Sequence, residues 1–122
     1  MTITSAVPVL RVSNYAKARA FWRDQLGFAV AEEGGDPPRF GIFIRDGQRV
    51  FLDGWHGPDA PGHQGWRVYF HTPDVDALAE WAVAQGIVLA KPLHDTPYGM
   101  REFEIVDPDG NRLCFGQPLD GA

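Results

Sequence analysis

The sequence predicts an α+β fold built from two copies of a βαβββ module. One observation is an internal repeat, because DGQRVFL at 46–52 aligns without a gap with DGNRLCF at 109–115. Another is that Asn14 and Asp74, both preferred helix N-cap residues, each stand between a strand-like segment and a segment with helical spacing of apolar residues. A repeat of this length indicates one supersecondary unit used twice.

The first copy begins with an apolar strand at about 7–12. Apolar residues at helical spacing follow, and Gly27 stands where a glycine commonly ends a helix. Three short strands then read at 28–32, 40–44 and 49–52, and the Asp-Gly of RDGQ predicts a tight hairpin turn between the last two.

The second copy repeats this order, with a strand at 67–71, a helix from Asp74 to Gly86, and three more strands. We expect one domain, 1–122, with repeat 1 at about 5–53, a Gly/Pro-rich linker at about 54–65 and repeat 2 at about 66–117. One module alone leaves a sheet face uncovered. We therefore expect curved mixed sheets that pack together or onto a second chain and leave a ligand cleft.

Composition limits the classes of function. The chain has 122 residues, 44% of them hydrophobic, which suits one small globular domain. No apolar run approaches the roughly 20 residues of a membrane span, and the N-terminus lacks signal-peptide features, so we predict a cytoplasmic protein without a membrane partner. A single cysteine fits a reducing compartment. The net charge of −5 disfavours nucleic acid as a partner and suits cationic or neutral small ligands.

Four segments carry a resemblance to a known family. Together with the order of the two modules, these segments resemble the glyoxalase / bleomycin-resistance / extradiol dioxygenase fold, known as the vicinal oxygen chelate superfamily. The resemblance covers nearly the whole chain. They are similar to the bleomycin-resistance proteins in particular, because DPDGN is common to the superfamily whereas the preceding Pro-aromatic-Gly stretch is more specific. The segments are SAVPVL at 5–10, AFWRDQLGF at 20–28, RFGIFIRDG at 39–47 and PYGMREFEIVDPDGN at 97–111.

Enzymes of this superfamily hold a divalent metal with His, Glu or Gln from the first and last strand of each module. By the resemblance and the spacing to the two N-caps, the matching positions are Val7, Phe51, Arg67 and Cys114. Three protein ligands are the usual minimum for a catalytic metal, and these side chains offer one thiol. We therefore expect no metal and no other cofactor, which favours a binding protein over an enzyme.

Other chemistry has little support in the sequence. Asp107 and Asp109 could form a carboxylate pair, but in a DPDG turn their side chains are expected to bond turn amides. Cys114, between apolar neighbours in a strand, is expected to be a buried filler rather than a nucleophile. The histidines share no spacing typical of joint metal ligation and are expected at the surface: His56, His63, His71 and His94.

The aromatic residues are more informative. Eight Phe, four Trp and three Tyr exceed the needs of so small a core. In bleomycin-resistance proteins, an aromatic at the Phe40 position and a tryptophan at the Tyr98 position sandwich the planar part of the drug across a dimer interface. The resemblance implies the same role here, with tyrosine offering a smaller ring face; the alternative is that both residues cap the core. The expected ligand-binding residues are Phe40, Tyr98, Gly99, Trp66, Trp55, Glu33, Asp36 and Glu102.

Two further features bear on the ligand and on assembly. Carboxylates predicted near the two aromatics, including Glu32 and Glu33, would attract a cationic ligand. Pro8 lacks an amide donor and suits an edge or crossing strand. In the resembled family, a proline at this place accompanies exchange of the N-terminal strand, which implies a strand-swapped homodimer.

These features predict a homodimer that sequesters a planar, cationic, bleomycin-like glycopeptide antibiotic without changing it. One alternative is a metal-dependent lyase, isomerase or dioxygenase of the same superfamily, with ligands outside the expected positions. Another is a binder of some other small aromatic metabolite.

Overall fold

The structure, a computed structural model, describes residues 1–57 and 65–120. Most of the predicted linker, with His63, lies outside the described residues. The chain divides into two compact units, Met1–Pro61 and Gly62–Ala122. In the described part of the chain, no helix is both long enough and apolar enough to cross a bilayer.

The first unit is a βαβββ module. Its elements are β1 (Val9–Arg11), α1 (Tyr15–Ala20), β2 (Ala29–Gly34), β3 (Phe40–Arg45) and β4 (Gln48–Asp53). The strands form a sheet in the order β1-β4-β3-β2, with β1 parallel to β4 and the other pairs antiparallel. The predicted strand boundaries agree with the observed ones to within two residues.

The helix begins and ends as its sequence predicts, with one addition. The Asn14 side chain caps α1 by accepting a hydrogen bond from the Lys17 amide at 3.1 Å. The chain then continues as a π-helical turn, Phe21–Gln25, which the sequence did not predict. This turn carries the fully buried Trp22. Gly27 follows with φ of 76°, the left-handed conformation that a helix C-terminus favours.

The second unit repeats the module, with β5 (Trp66–His71), α2 (Val75–Ala84), β6 (Lys91–Asp95), β7 (Met100–Val106) and β8 (Arg112–Pro118). The sheet order is β5-β8-β7-β6. Asp74 caps α2 by accepting a hydrogen bond from the Ala77 amide at 3.0 Å. The prediction of two βαβββ modules in an α+β fold is therefore confirmed.

Turn residues fix the β3–β4 and β7–β8 hairpins. Asp46 and Gly47 both have positive φ, 51° and 78°, as a tight two-residue turn between β3 and β4 requires. In the DPDG turn, Asp107 Oδ1 accepts from the amides of Asp109 and Asn111, both at 2.9 Å. The structural role predicted for Asp107 is confirmed.

Each sheet has one face packed against its helix. In the first unit that face carries Phe43, whose ring makes an edge contact with Tyr15 of α1. In the second, Arg101 bonds Asp76 of α2 at 2.7 Å, so Phe103, two residues along β7, points the same way. The alternate residues of each strand lie on the opposite face, which we call the helix-free face. The candidate site is built there.

Pro8 precedes β1 and does not lie within it. Its carbonyl accepts a hydrogen bond from the Phe51 amide at 3.0 Å, so the chain pairs with β4 before β1 begins. This position needs only a carbonyl, which suits a residue without an amide donor. In this structure β1 pairs with β4 of its own unit, and exchange between two subunits stays a prediction.

Candidate functional site

An aromatic shelf of Phe40, Phe51 and Trp55 covers part of the helix-free face of the first sheet. The rings of Phe40 and Trp55 are stacked, with centroids 5.2 Å apart and planes 10° apart, while Phe51 meets Phe40 edge-on at 5.5 Å. Gly34 leaves room for the indole, because an added Cβ there would lie 3.1 Å from a Trp55 ring atom. Trp55 is 48% exposed, so the shelf presents a flat apolar surface to solvent.

Asp53 holds the Trp55 backbone in place. This carboxylate, on the last residue of β4, accepts from the amides of Trp55 and His56 at 2.8 and 3.3 Å. It also contacts His56 Nδ1 at 2.6 Å. Burial alone would raise the pKa of Asp53, but the hydrogen bonds from His56 and the backbone hold it below its usual value. The shelf thus depends on an ionised Asp53.

Replacing Asp53 with Ala is expected to lower the free energy of unfolding by about 1–2 kcal/mol, because the Trp55 and His56 amides lose a charged acceptor. In the wild type, the lowered pKa means that this contribution is present above about pH 4 and is lost as the pH falls through the folded-state pKa. Urea unfolding at neutral pH measures the change. Asp24→Ala, at an exposed Arg23 pair, is the control and should change stability little. Equal effects of the two substitutions would contradict the anchoring role.

The two other acidic residues expected in this unit lie differently. Glu33 Oε2 accepts from the Tyr15 hydroxyl and from Arg19 Nε, both at 2.7 Å, on the helix side of the sheet. Burial raises the pKa of the Tyr15 phenol, and the hydrogen bond to Glu33 raises it further. The structure therefore does not bring Glu33 together with Phe40. Asp36 is exposed in the turn between β2 and β3.

The helix-free face of the second sheet is polar and centres on Glu102. This residue is 0% exposed. Its Oε2 accepts from the Tyr69 hydroxyl at 2.8 Å, and its Oε1 accepts from the Tyr98 hydroxyl at 2.7 Å. We call these three residues the phenol–carboxylate network. Tyr98 is 59% exposed, so the network joins a buried charge to an exposed ring.

The turn between β6 and β7 sets the position of Tyr98. The Thr96 amide donates to the Met100 carbonyl at 2.8 Å, and the Met100 amide donates to Thr96 Oγ1 at 3.0 Å. Gly99 has φ of 83°, a conformation that side chains other than glycine rarely adopt. Tyr98 is therefore held at the tip of a closed turn, next to the residue that makes the turn possible.

A second carboxylate, Glu104, lies two residues along β7 on the same face. It accepts from Trp66 Nε1 at 3.3 Å and from Arg112 Nη1 at 2.8 Å. Trp66 is 45% exposed and its ring centroid lies 5.1 Å from that of Tyr69. Cys114, paired with Glu104 across the strands, is fully buried; burial and then the nearby carboxylates raise its thiol pKa. Cys114 is thus a buried filler, as predicted.

The sequence matches the model of the Glyoxalase/Bleomycin resistance protein/Dioxygenase superfamily over residues 4–115. The chain belongs to this superfamily. A search of curated protein sequences found no match.

Solved structures with the same fold include proteins with different names. TnmS3, an antibiotic binding protein from Streptomyces sp. CB03234, is 26% identical with a TM-score of 0.77, covering 97% of this chain and 98% of its own. TioX from Micromonospora sp. ML1 is 21% identical with a TM-score of 0.76, and the match covers 95% of this chain and 99% of TioX. Lactoylglutathione lyase from Agrobacterium tumefaciens is 23% identical with a TM-score of 0.70, and the match covers 95% of this chain and 94% of the lyase. A fold with neighbours of such different names does not by itself assign a function.

The side chains at the predicted metal-ligand positions do not fit a divalent ion. Val7 and Phe51 have no donor atom, and Arg67 carries a positive charge. In the strand register, the partners of Phe51 and Cys114 are Val9 and Tyr69. Each partner lies two residues after a predicted ligand position, Val7 or Arg67. Within residues 1–57 and 65–120, no group of three or more His, Cys, Asp or Glu side chains is arranged to hold a metal ion.

Each of the described histidines contacts a nearby side chain or carbonyl group. The exposed His56 contacts Asp53, as noted above. His94 Nδ1 lies 2.8 Å from the Pro92 carbonyl, and its Nε2 lies 4.0 Å from Glu102 Oε1. The ring of His71 lies 4.9 Å from that of Tyr69.

Sequence reasoning missed three residues of these faces: Asp53, Tyr69 and Glu104. A signal for Glu104 was present, because Glu102 and Glu104 alternate with Phe103 and must share a face in any strand. No local signal marks Tyr69, since its partner Glu102 is distant in sequence and meets it only through the pairing of β5, β8 and β7.

Proposed function

We propose that this superfamily member binds a planar, cation-bearing small molecule of the antibiotic class and releases it chemically unchanged. The observation that carries the proposal is the aromatic shelf, where Phe40 and Trp55 stack at 5.2 Å and leave Trp55 48% exposed. Exposed, parallel aromatic surface is suited to stacking on a flat ligand. A ring held in place before binding also loses little freedom when the ligand arrives.

The second unit, taken by itself, also favours cations. Tyr98 and Trp66 are both exposed aromatics, and each donates a hydrogen bond to a buried carboxylate. A cation is attracted to the face of such a ring and to the negative charge behind it. The net charge of −5 favours the approach of the same ligands over longer distances.

The antibiotic class is supported by the likeness to TnmS3, which is named for antibiotic binding. Metal-free bleomycin is the first ligand to test, because it combines a planar aromatic segment with a cationic tail. At the predicted metal-ligand positions Val7, Phe51 and Arg67 offer no ligand, so the enzyme alternative needs metal ligands elsewhere in the chain.

Metal-free bleomycin and the planar cation 9-aminoacridine are expected to bind the purified protein. Calorimetry measures affinity, and mass spectrometry of the recovered ligand checks that it is unchanged. Trp55→Ala should weaken binding by about 1 kcal/mol, because the shelf loses one of its stacked rings.

Val83→Ala is the control, since it truncates an exposed apolar side chain on α2. Its affinity should equal that of the wild type. Elemental analysis of protein prepared without chelator completes the test. One tightly held Zn, Ni, Mn or Fe ion per chain, or a chemically altered ligand, would favour the enzyme alternative and overturn the proposal.

A further inference from the structure

We propose that the phenol–carboxylate network makes Tyr98 a fixed ring that selects cationic over neutral planar ligands. Tyr98 touches the ligand, whereas Glu102 and Tyr69 are positioning residues that act through it. The selectivity rests on the proposed function; the fixing of the ring does not.

The burial of Glu102 decides its role. Because Glu102 is 0% exposed, the ligand meets its charge only through a neighbouring side chain. Each of its two oxygens accepts a phenol hydroxyl, from Tyr69 at 2.8 Å and from Tyr98 at 2.7 Å. A buried charge is costly unless it is hydrogen-bonded, so both phenols are strongly held. The exposed Tyr98 ring is thereby tied to a fixed point in the sheet.

The support beneath Glu102 is also built into the sheet. Tyr69 reaches Glu102 across β8, where the intervening residue is Gly116. A Cβ added at Gly116 would lie 2.0 Å from the Tyr69 hydroxyl oxygen and 3.0 Å from Glu102 Cγ. Any larger residue at that position would displace the network.

The same hydrogen bond changes what the Tyr98 ring attracts. A phenol that donates to a carboxylate gains electron density on its oxygen and ring, and this strengthens the pull of the ring face on a cation. The hydrogen bond to Glu102, with some burial, raises the pKa of Tyr98 to about 12, so the hydroxyl remains a donor at neutral pH. A neutral planar ligand gains stacking from this ring but not the added attraction.

The first experiment needs no ligand. Protein labelled with ¹³Cζ-tyrosine is titrated by NMR, with Tyr98→Phe used to assign the resonance. Near pH 11, where an ordinary phenol of pKa about 10 is mostly ionised, the Tyr98 signal should still be that of the protonated form. In Glu102→Gln it should ionise at lower pH than in the wild type. If Tyr98 of the wild type ionises like a free tyrosine, the network does not hold it and the inference is overturned.

The second experiment compares two probes of similar shape, 9-aminoacridine, a cation at neutral pH, and neutral acridine. Tyr98→Phe keeps the ring and removes only the hydroxyl. It should weaken binding of the cation about two- to fivefold and leave acridine nearly unchanged, the range expected for an exposed cation–π contact. Tyr15→Phe is the matched control, because it breaks the same kind of bond, Tyr15 to Glu33, on the helix side of the first sheet.

Equal weakening of both probes, or of neither, would overturn the selectivity. If the wild type binds neither probe nor bleomycin, the proposed function fails and the selectivity fails with it. The NMR titration still decides in that case whether Glu102 fixes Tyr98.

Discussion

Deleting residues 1–9 is expected to convert the predicted homodimer into monomer or aggregate. The deletion removes Pro8, whose carbonyl accepts the Phe51 amide at 3.0 Å, and Val9, which pairs with Phe51 in the ladder. β4 then loses part of its parallel neighbour and becomes an exposed edge, which invites aggregation. If the N-terminal strand is exchanged between two subunits, the same deletion also removes the dimer contact. Analytical ultracentrifugation of both proteins at several concentrations measures the outcome.

Deletion of residues 1–5 is the control, because these residues are exposed and precede the first ladder bond. That shorter deletion should leave the assembly unchanged. A full-length protein that stays monomeric at high micromolar concentration would contradict the predicted homodimer. A dimer that survives loss of residues 1–9 would show instead that the interface lies elsewhere.

Replacing Tyr98 with Ala is expected to weaken binding of metal-free bleomycin by about 1–3 kcal/mol, the cost of one aromatic contact with its buried area. The fold should be retained, because Tyr98 is 59% exposed on a turn that Thr96 and Met100 close without it, while the loss of its hydrogen bond to the buried Glu102 should lower the free energy of unfolding. Isothermal calorimetry measures the affinity, and urea unfolding checks the stability.

Val88→Ala provides the comparison, since Val88 is 85% exposed and lies outside both helix-free faces. It should bind like the wild type. If Tyr98→Ala also binds bleomycin with wild-type affinity, Tyr98 is not part of the ligand site, and the 96–115 hairpin is only a wall of the unit.

The two modules share a backbone topology but carry different side chains at equivalent positions of their helix-free faces. Because the repeat aligns Phe51 with Cys114, the register makes Ile42 equivalent to Glu104, each being paired with that aligned residue. Two residues further along the repeat, Asp53 aligns with Gly116. Phe40 pairs with Asp53 and Glu102 pairs with Gly116, so Phe40 is equivalent to Glu102. The first helix-free face therefore has Phe40 where the second has Glu102, although the backbone topology is the same.

Local sequence signals were enough for the architecture. The N-caps Asn14 and Asp74, the helix-ending Gly27 and the Asp46-Gly47 turn all act through backbone groups within a few residues, so each can be read without knowing the tertiary structure. The π-helical turn after α1 could not be read this way, because nothing in its local sequence separates it from an α-helix. The chemistry of the predicted metal-ligand positions was also open to sequence reasoning, since Val7 and Phe51 lack donor atoms in any fold.

The sequence by itself determined the repeated module, the membership in the superfamily and the identity of the exposed aromatics Trp55, Trp66 and Tyr98. Only the tertiary structure decided what those rings are joined to. Glu33 and Glu102 both read as attractive surface charges, yet Glu33 bonds Tyr15 on the helix side whereas Glu102 lies buried beneath Tyr98. The physical reason is that the pairing of β5, β8 and β7 brings Tyr69 onto Glu102 from 33 residues away. The geometry of that contact is set by strand register, which local sequence does not contain.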